Sequence, residues 1–154
     1  MSGVSISQAV AGEISAASSA LAARIGYDSL YVLPGPQVGS VTNAFHVYAA
    51  TQKNTLRPLV ASFSLQELPG CCGVIVAFHV NVQAAFQGKG LGNGLLQVRM
   101  AAAKQAGYTL MQATTVRGNE REAHLLEKNG FVRTTEFVSR RTSNAVVVWQ
   151  KILE

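Results

Sequence analysis

Residues 87 to 92 read Gln-Gly-Lys-Gly-Leu-Gly, set between an apolar run at residues 74 to 82 and a helical pattern at residues 91 to 106. A strand, a glycine turn and a helix in that order leave a row of backbone N–H groups free and back them with the positive end of a helix dipole. A phosphate suits that point. Two other phosphate loops are excluded. A Walker A loop follows Gly-Lys with Ser or Thr to hold magnesium, whereas Gly90 follows Lys89 here. The dinucleotide fingerprint needs a third glycine three positions after its second, and Asn93 and Leu95 stand where that glycine would fall. What remains is Gln-x-x-Gly-x-Gly.

The rest of the chain arranges itself around this turn. Ser5 with Gln8 makes a capping box, and Ile6, Val10, Ile14, Ala17 and Leu21 repeat at helical spacing up to Gly26, predicting an amphipathic helix over residues 5 to 25. Residues 30 to 33 suit a short strand or a turn, ended by Pro34-Gly35-Pro36. Residues 41 to 50 and 56 to 65 read as a hairpin, and a second reversal at residues 67 to 73 leads to residues 74 to 82, apolar on both faces as a central strand would be. The helix at 91 to 106 closes at Gly107, and a strand at 108 to 116 follows. A helical crossover of this kind joins two neighbouring parallel strands. Asn119 caps another helix, with Glu122 at its third position and Gly130 past its end. Residues 131 to 140 and 145 to 152 make a closing hairpin. The predicted fold class is α/β, a mixed, mostly antiparallel sheet flanked by helices, in one domain over residues 1 to 154.

Val80-Asn81-Val82, then Gln87-Gly88-Lys89-Gly90-Leu91-Gly92, then Asn119 with Ala123 and the ending Glu127-Lys128-Asn129-Gly130-Phe131 closely resemble the GCN5-related N-acetyltransferase (GNAT) family in order and spacing. The resemblance covers the second half of the chain. It implies an acetyltransferase fold with a splayed central strand pair, although the family's usual strand before the first helix is missing or displaced. It also implies acetyl-coenzyme A (acetyl-CoA) as cofactor, lying where the strand ending at Val82 parts from the next. Val80, Asn81 and Val82 would meet the pantetheine arm, chiefly through the main chain. Residues Gln87, Gly88, Lys89, Gly90, Leu91 and Gly92 would hold the diphosphate, and Asn119 would touch the pantetheine as well as cap its helix. Lys128 would reach the phosphates or simply end its helix, and Gly94 reads as a packing residue.

The catalytic half is thinner. Amide formation from a thioester needs a neutral amine, removal of its proton, and an exit for the thiolate. Where many family members have a tyrosine acid, this chain has Leu126, so water, another residue or no acid at all serves the leaving group. No carboxylate falls in the central strand, where Val76 takes the place of the base some members carry. His79 lies in that strand, on the face alternation shares with Asn81, and an imidazole of pKa near 6.5 suits proton removal; the same histidine could equally be a core residue satisfied by a carbonyl. His46, Glu67, Glu136 and Tyr108 are weaker candidates, and His124 reads as surface.

A chain of 154 residues that is 48% apolar and only 14% charged buries a proper core. No segment has the length of a membrane span or the pattern of a signal peptide, so a soluble, cytoplasmic protein is expected. Cys71 and Cys72 are adjacent, too close for an ordinary disulfide, and read as free thiols; no metal-ligand spacing occurs. The net charge of +5 suits a polyanion, but the basic residues are dispersed, with Arg140-Arg141 the only doublet. Three readings follow: an N-acetyltransferase acting on a primary amine of unknown identity, a catalytically silent acyl-CoA-binding module, and a basic nucleic-acid-binding protein. The closing hairpin's edge could support a homodimer.

Overall fold

A computed structural model describes residues 4–35 and 43–154. The Ser5 hydroxyl accepts from the Gln8 amide and the Gln8 side chain accepts from the Ser5 amide, both at 3.1 Å. This capping box opens α1 (Ile6–Ala23), which turns Val10, Ile14 and Leu21 inward. Gly26, at φ 78°, reverses the chain beyond its end.

Four strands then run as an antiparallel meander: β1 (Ser29–Pro34), β2 (Asn43–Ala50), β3 (Leu59–Glu67) and β4 (Val74–Val82). The segment that suited either strand or turn is β1. Ser18 of α1 secures it, its hydroxyl donating to the Leu30 carbonyl at 2.9 Å and accepting from the Leu30 amide at 2.6 Å. Pro36, Val41 and Thr42, read from the sequence as strand end and strand start, lie outside the described residues. Cys71 and Cys72 are free and exposed in the turn before β4.

α2 (Leu91–Gln105) carries the chain over to β5 (Leu110–Val116), then come α3 (Glu120–Lys128), β6 (Val132–Val138) and β7 (Ala145–Ile152). The sheet order is β1-β2-β3-β4-β5-β7-β6, with β4 and β5 the one parallel pair among the described residues and β4 central, as its two-sided apolar pattern predicts. Among the described residues no strand precedes α1.

One face of the sheet carries Phe45, Phe63, Leu65, Ile75, Met111 and Trp149, all buried, and α1 and α2 lie together. A β-carbon built on Gly94 of α2 would stand 2.3 Å from Leu21 Cδ2, so the two helices meet where α2 has no side chain. This is the packing role the sequence assigns to Gly94. No described helix is long and apolar enough to cross a membrane.

Candidate functional site

β4 and β5 part company early. They pair only at Val74–Leu110, Ile75–Met111 and Val76–Gln112, after which β4 stays with β3 as far as Val82 and β5 stays with β7 as far as Val116. Beyond Val76 the backbone groups of β4 that face β5 therefore have no ladder partner, and an extended peptide-like ligand can supply one.

A bulge sits inside this fork. Ser62 pairs with Asn81 and Ser64 with Phe78, so His79 and Val80 together stand against Phe63. His79 takes a left-handed φ of 53°, one of two described non-glycine residues with positive φ. The extra residue breaks the alternation the sequence suggested: the ladder puts Asn81 on the face of Phe78, and His79 no longer shares a face with it by simple counting. His79 is exposed rather than enclosed in the core, its ring 4.7 Å from that of Phe78.

At the open end of the fork, a single 3-10 turn (Ala84–Phe86) leads into the glycine loop. The Gln87 side chain donates to the Val82 carbonyl at 2.8 Å and its amide to Ala84 at 3.4 Å, which ties the loop to the end of β4. Gln87 thus spends its own N–H within the turn. Among the described residues, no acceptor meets the amides of residues 88 to 93, which surround the start of α2. Gly88 and Gly90 have φ of 75° and 78°, a conformation that a β-carbon would strain. From the end of α1, Arg24 donates to the Gly90 carbonyl at 2.9 Å.

These parts face one cavity of about 590 Å³. Val80, Asn81 and Val82 line one side, Gln87, Gly88, Gly90, Leu91 and Gly92 the end, and Asn119, Glu122, His124, Leu125 and Lys128 the α3 side. Asn119 also caps α3, accepting from the Glu122 amide at 3.3 Å, so cap and cavity wall are the same side chain. Nearby, Asn129 Nδ2 donates to Asn93 Oδ1 at 2.8 Å and joins the ends of α3 and α2.

Of the cofactor contacts singled out by sequence, the structure brings ten to the cavity wall: Val80, Asn81, Val82, Gln87, Gly88, Gly90, Leu91, Gly92, Asn119 and Lys128. Lys89 and His79 are not in that wall, and neither are His46, Glu67, Tyr108 or Glu136. Glu136 pairs with Arg117. Tyr108 is raised above the usual phenol range by burial and by Glu67. Leu126 is 5% exposed and packs in the core. Sequence reading missed Arg24 and Arg99; His124, read as surface, is exposed on the α3 side of the wall. For Arg99 a signal existed: it stands four residues after Leu95 and eight after Leu91, a charge within an apolar stripe. It is buried in the cavity wall, its guanidinium 5.3 Å from the centre of the Phe63 ring.

Residues 44–133 match the family model described as acetyltransferase (GNAT) domain. Among solved structures, the chain is similar to yncA of Salmonella typhimurium, described with its cofactor acetyl-CoA, at 21% identity and a TM-score of 0.58 over 73% of this chain. It spans 65% of that protein, just under two thirds of its length. The spermidine N-acetyltransferase of Vibrio cholerae, in complex with CoA and spermine, matches at 17% identity and a TM-score of 0.63, covering 74% of this chain and 67% of that one. The ribosomal-protein-S18-alanine N-acetyltransferase of Escherichia coli matches at 17% identity and 0.59, covering 76% and 72%. No curated protein matches the sequence.

Proposed function

Because this chain belongs to the GNAT acetyltransferase family, we propose that it is an N-acetyltransferase that moves an acetyl group from acetyl-CoA to a primary amine by direct attack while both are bound. The observation that carries this is the fork: unpaired β4 backbone leads straight to a loop of unpartnered amides within one cavity. An extended amide chain ending in a diphosphate has that pattern of acceptors and donors. Val80, Asn81 and Val82 would hold the pantetheine arm, and the amides of residues 88 to 93 the diphosphate, where a helix N-terminus favours negative charge. Asn119 and Lys128 flank the same space. The thioester, when bound, supplies an acyl carbon open to attack by a neutral amine, whose nitrogen replaces the sulfur as the C–S bond breaks.

For the amine's proton we propose His79, which lies outside the cavity wall but stands exposed in the bulge beside Val80, itself a wall residue. A non-glycine residue held at positive φ costs on the order of 1–2 kcal/mol, and such strain gathers at functional sites. The buried Leu126 side chain gives the leaving thiolate no proton, and no tyrosine lines the described cavity wall. A thiol is acidic enough to leave unassisted. The spermine complex and the alanine acetyltransferase among similar structures support an amine acceptor without choosing between them. We also read the chain as one acetyltransferase-like domain, cytoplasmic given its two free cysteines, and able to pair with a second copy along β6, whose residues are exposed throughout.

Calorimetric titration with acetyl-CoA, together with thiol release across an amine panel, tests this reading. Binding by the parent, loss of binding in Gly90→Glu and thiol release with at least one amine are expected. An absence of binding in the parent would falsify it. Leu126 favours a second reading, a silent acyl-CoA binder, which predicts the same binding with no thiol released by any amine.

A further inference from the structure

The cavity holds a charge that the cofactor reading leaves unused. Arg99 is 4% exposed, yet its only hydrogen bond among the described residues runs from Nε to the Leu95 carbonyl, at 3.3 Å. Among the described residues neither terminal nitrogen meets a protein acceptor, neither is fully buried, and Arg99 lines the cavity. No ion pair joins it to Glu122 across the cavity, the one described ion pair being Arg117 with Glu136. Phe63, under the guanidinium, is the β3 residue that faces the His79–Val80 bulge, so the charge lies beneath the fork. Burial lowers its pKa to about 10, with Glu122 opposing, and the group stays cationic at neutral pH.

A buried cation costs free energy unless something answers it, and a ligand that fills the cavity would keep solvent from doing so. Two free nitrogens in a rigid plane match the two oxygens of a carboxylate; a thioester carbonyl offers one oxygen and no charge. We propose that Arg99 binds a carboxylate carried into the inner cavity by one of the two reactants, on the acyl group of the thioester or on the amine acceptor. This rests on the cavity being an acyl-thioester site.

The test compares the parent with Arg99→Met, which keeps bulk without charge, and Arg99→Lys, which keeps charge without the fork. Succinyl-CoA and acetyl-CoA are titrated by calorimetry, and acetyl-CoA thiol release is followed with a panel of amino acids against their amides. If the carboxylate is on the acyl group, the parent prefers succinyl-CoA by roughly 10- to 100-fold. Arg99→Met abolishes that preference, and Arg99→Lys keeps part of it. If it is on the acceptor, the two thioesters bind alike and the preference for amino acids over amides disappears instead. A parent with neither preference, or preferences that survive Arg99→Met, overturns the assignment while acetyl-CoA binding stands. A parent that binds neither thioester overturns the cofactor reading and this inference together.

Discussion

Arg24 Nη1 donates to the Gly90 carbonyl oxygen across 2.9 Å, joining the end of α1 to the glycine loop 66 residues later. The contact holds the residue that precedes α2 at φ 78°, and so fixes the direction of the amides around it. Arg24 is itself exposed, which limits its share in global stability. Replacing it with Met removes a charge-assisted hydrogen bond of about 0.5–1.5 kcal/mol and loosens the loop rather than the core. Calorimetry of the Arg24→Met variant is expected to show acetyl-CoA affinity reduced roughly 3- to 10-fold, with a melting temperature near the parent's. Equal affinity in the two proteins would mean the tie does not order the loop.

Gly94 and Leu21 set the approach of α1 to α2. Alanine ordinarily outranks glycine inside a helix by about 1 kcal/mol. Here the added methyl would stand 2.3 Å from Leu21 Cδ2, in a contact where Leu21 is 4% exposed. Gly94→Ala should therefore destabilise the protein by about 1–2 kcal/mol in urea unfolding, against propensity. Leu21→Ala opens a cavity of its own, and the double variant should be more stable than the two single losses added together. Simple additivity would show that α1 moves aside at no cost.

Gly88 and Gly92 separate backbone strain from ligand crowding. A β-carbon at either meets nothing within 4 Å, but Gly88 has φ 75° and Gly92 lies in the first turn of α2 without positive φ. Gly88→Ala is expected to cost about 1–2 kcal/mol of stability whether or not ligand is present. Gly92→Ala should leave thermal unfolding of the free protein unchanged or slightly improved. Any fall in its acetyl-CoA affinity then measures how closely the diphosphate approaches the loop. A destabilised Gly92→Ala would contradict the open space around that position.

Much of this architecture is legible from local signals. Ser5 with Gln8, Asn119 with Glu122, and Gly107 and Gly130 at positive φ mark helix ends by short-range chemistry that a sequence displays directly. The bounds of β4, residues 74 to 82, coincide with its apolar run for the same reason. The bulge at His79 is different. It arises because Phe63 on β3 faces two residues of β4, a pairing between distant segments that no local pattern announces. Arg24 and Gly90 likewise meet only through the packing of α1 on α2. The fork itself was expected from family resemblance, since spacing alone specifies a crossover and not where a parallel pair separates.

Asp28 predicts the acid limb of stability. Its carboxylate accepts from the Thr51 hydroxyl at 2.7 Å and the Gln52 amide at 3.0 Å, fastening the β2–β3 turn to the start of β1. These bonds, the Thr51 one first, hold its pKa below the ordinary 3.8. Since the folded value is the lower one, the stabilisation is complete above the unfolded value and is lost as pH falls through the folded value. Melting temperature should drop more steeply for the parent than for Asp28→Asn below about pH 4, and the gap between them should be widest near neutrality. Parallel curves would show that the bonds do not favour the charged form.

His79 carries the proposed proton transfer and the backbone strain at once, and two substitutions pull these apart. His79→Gly removes the imidazole and relieves φ 53°, whereas His79→Ala removes the imidazole and keeps the strain. Glycine also frees the unfolded chain, so His79→Gly should be more stable than His79→Ala by no more than about 1 kcal/mol. If the imidazole takes the amine's proton, both variants lose on the order of 100-fold in kcat/KM. In both, acetyl-CoA affinity holds within a factor of about two. A structural role gives the other pattern: activity would follow stability, with His79→Gly near the parent. That pattern would remove His79 from the mechanism and leave proton transfer to water in the open fork.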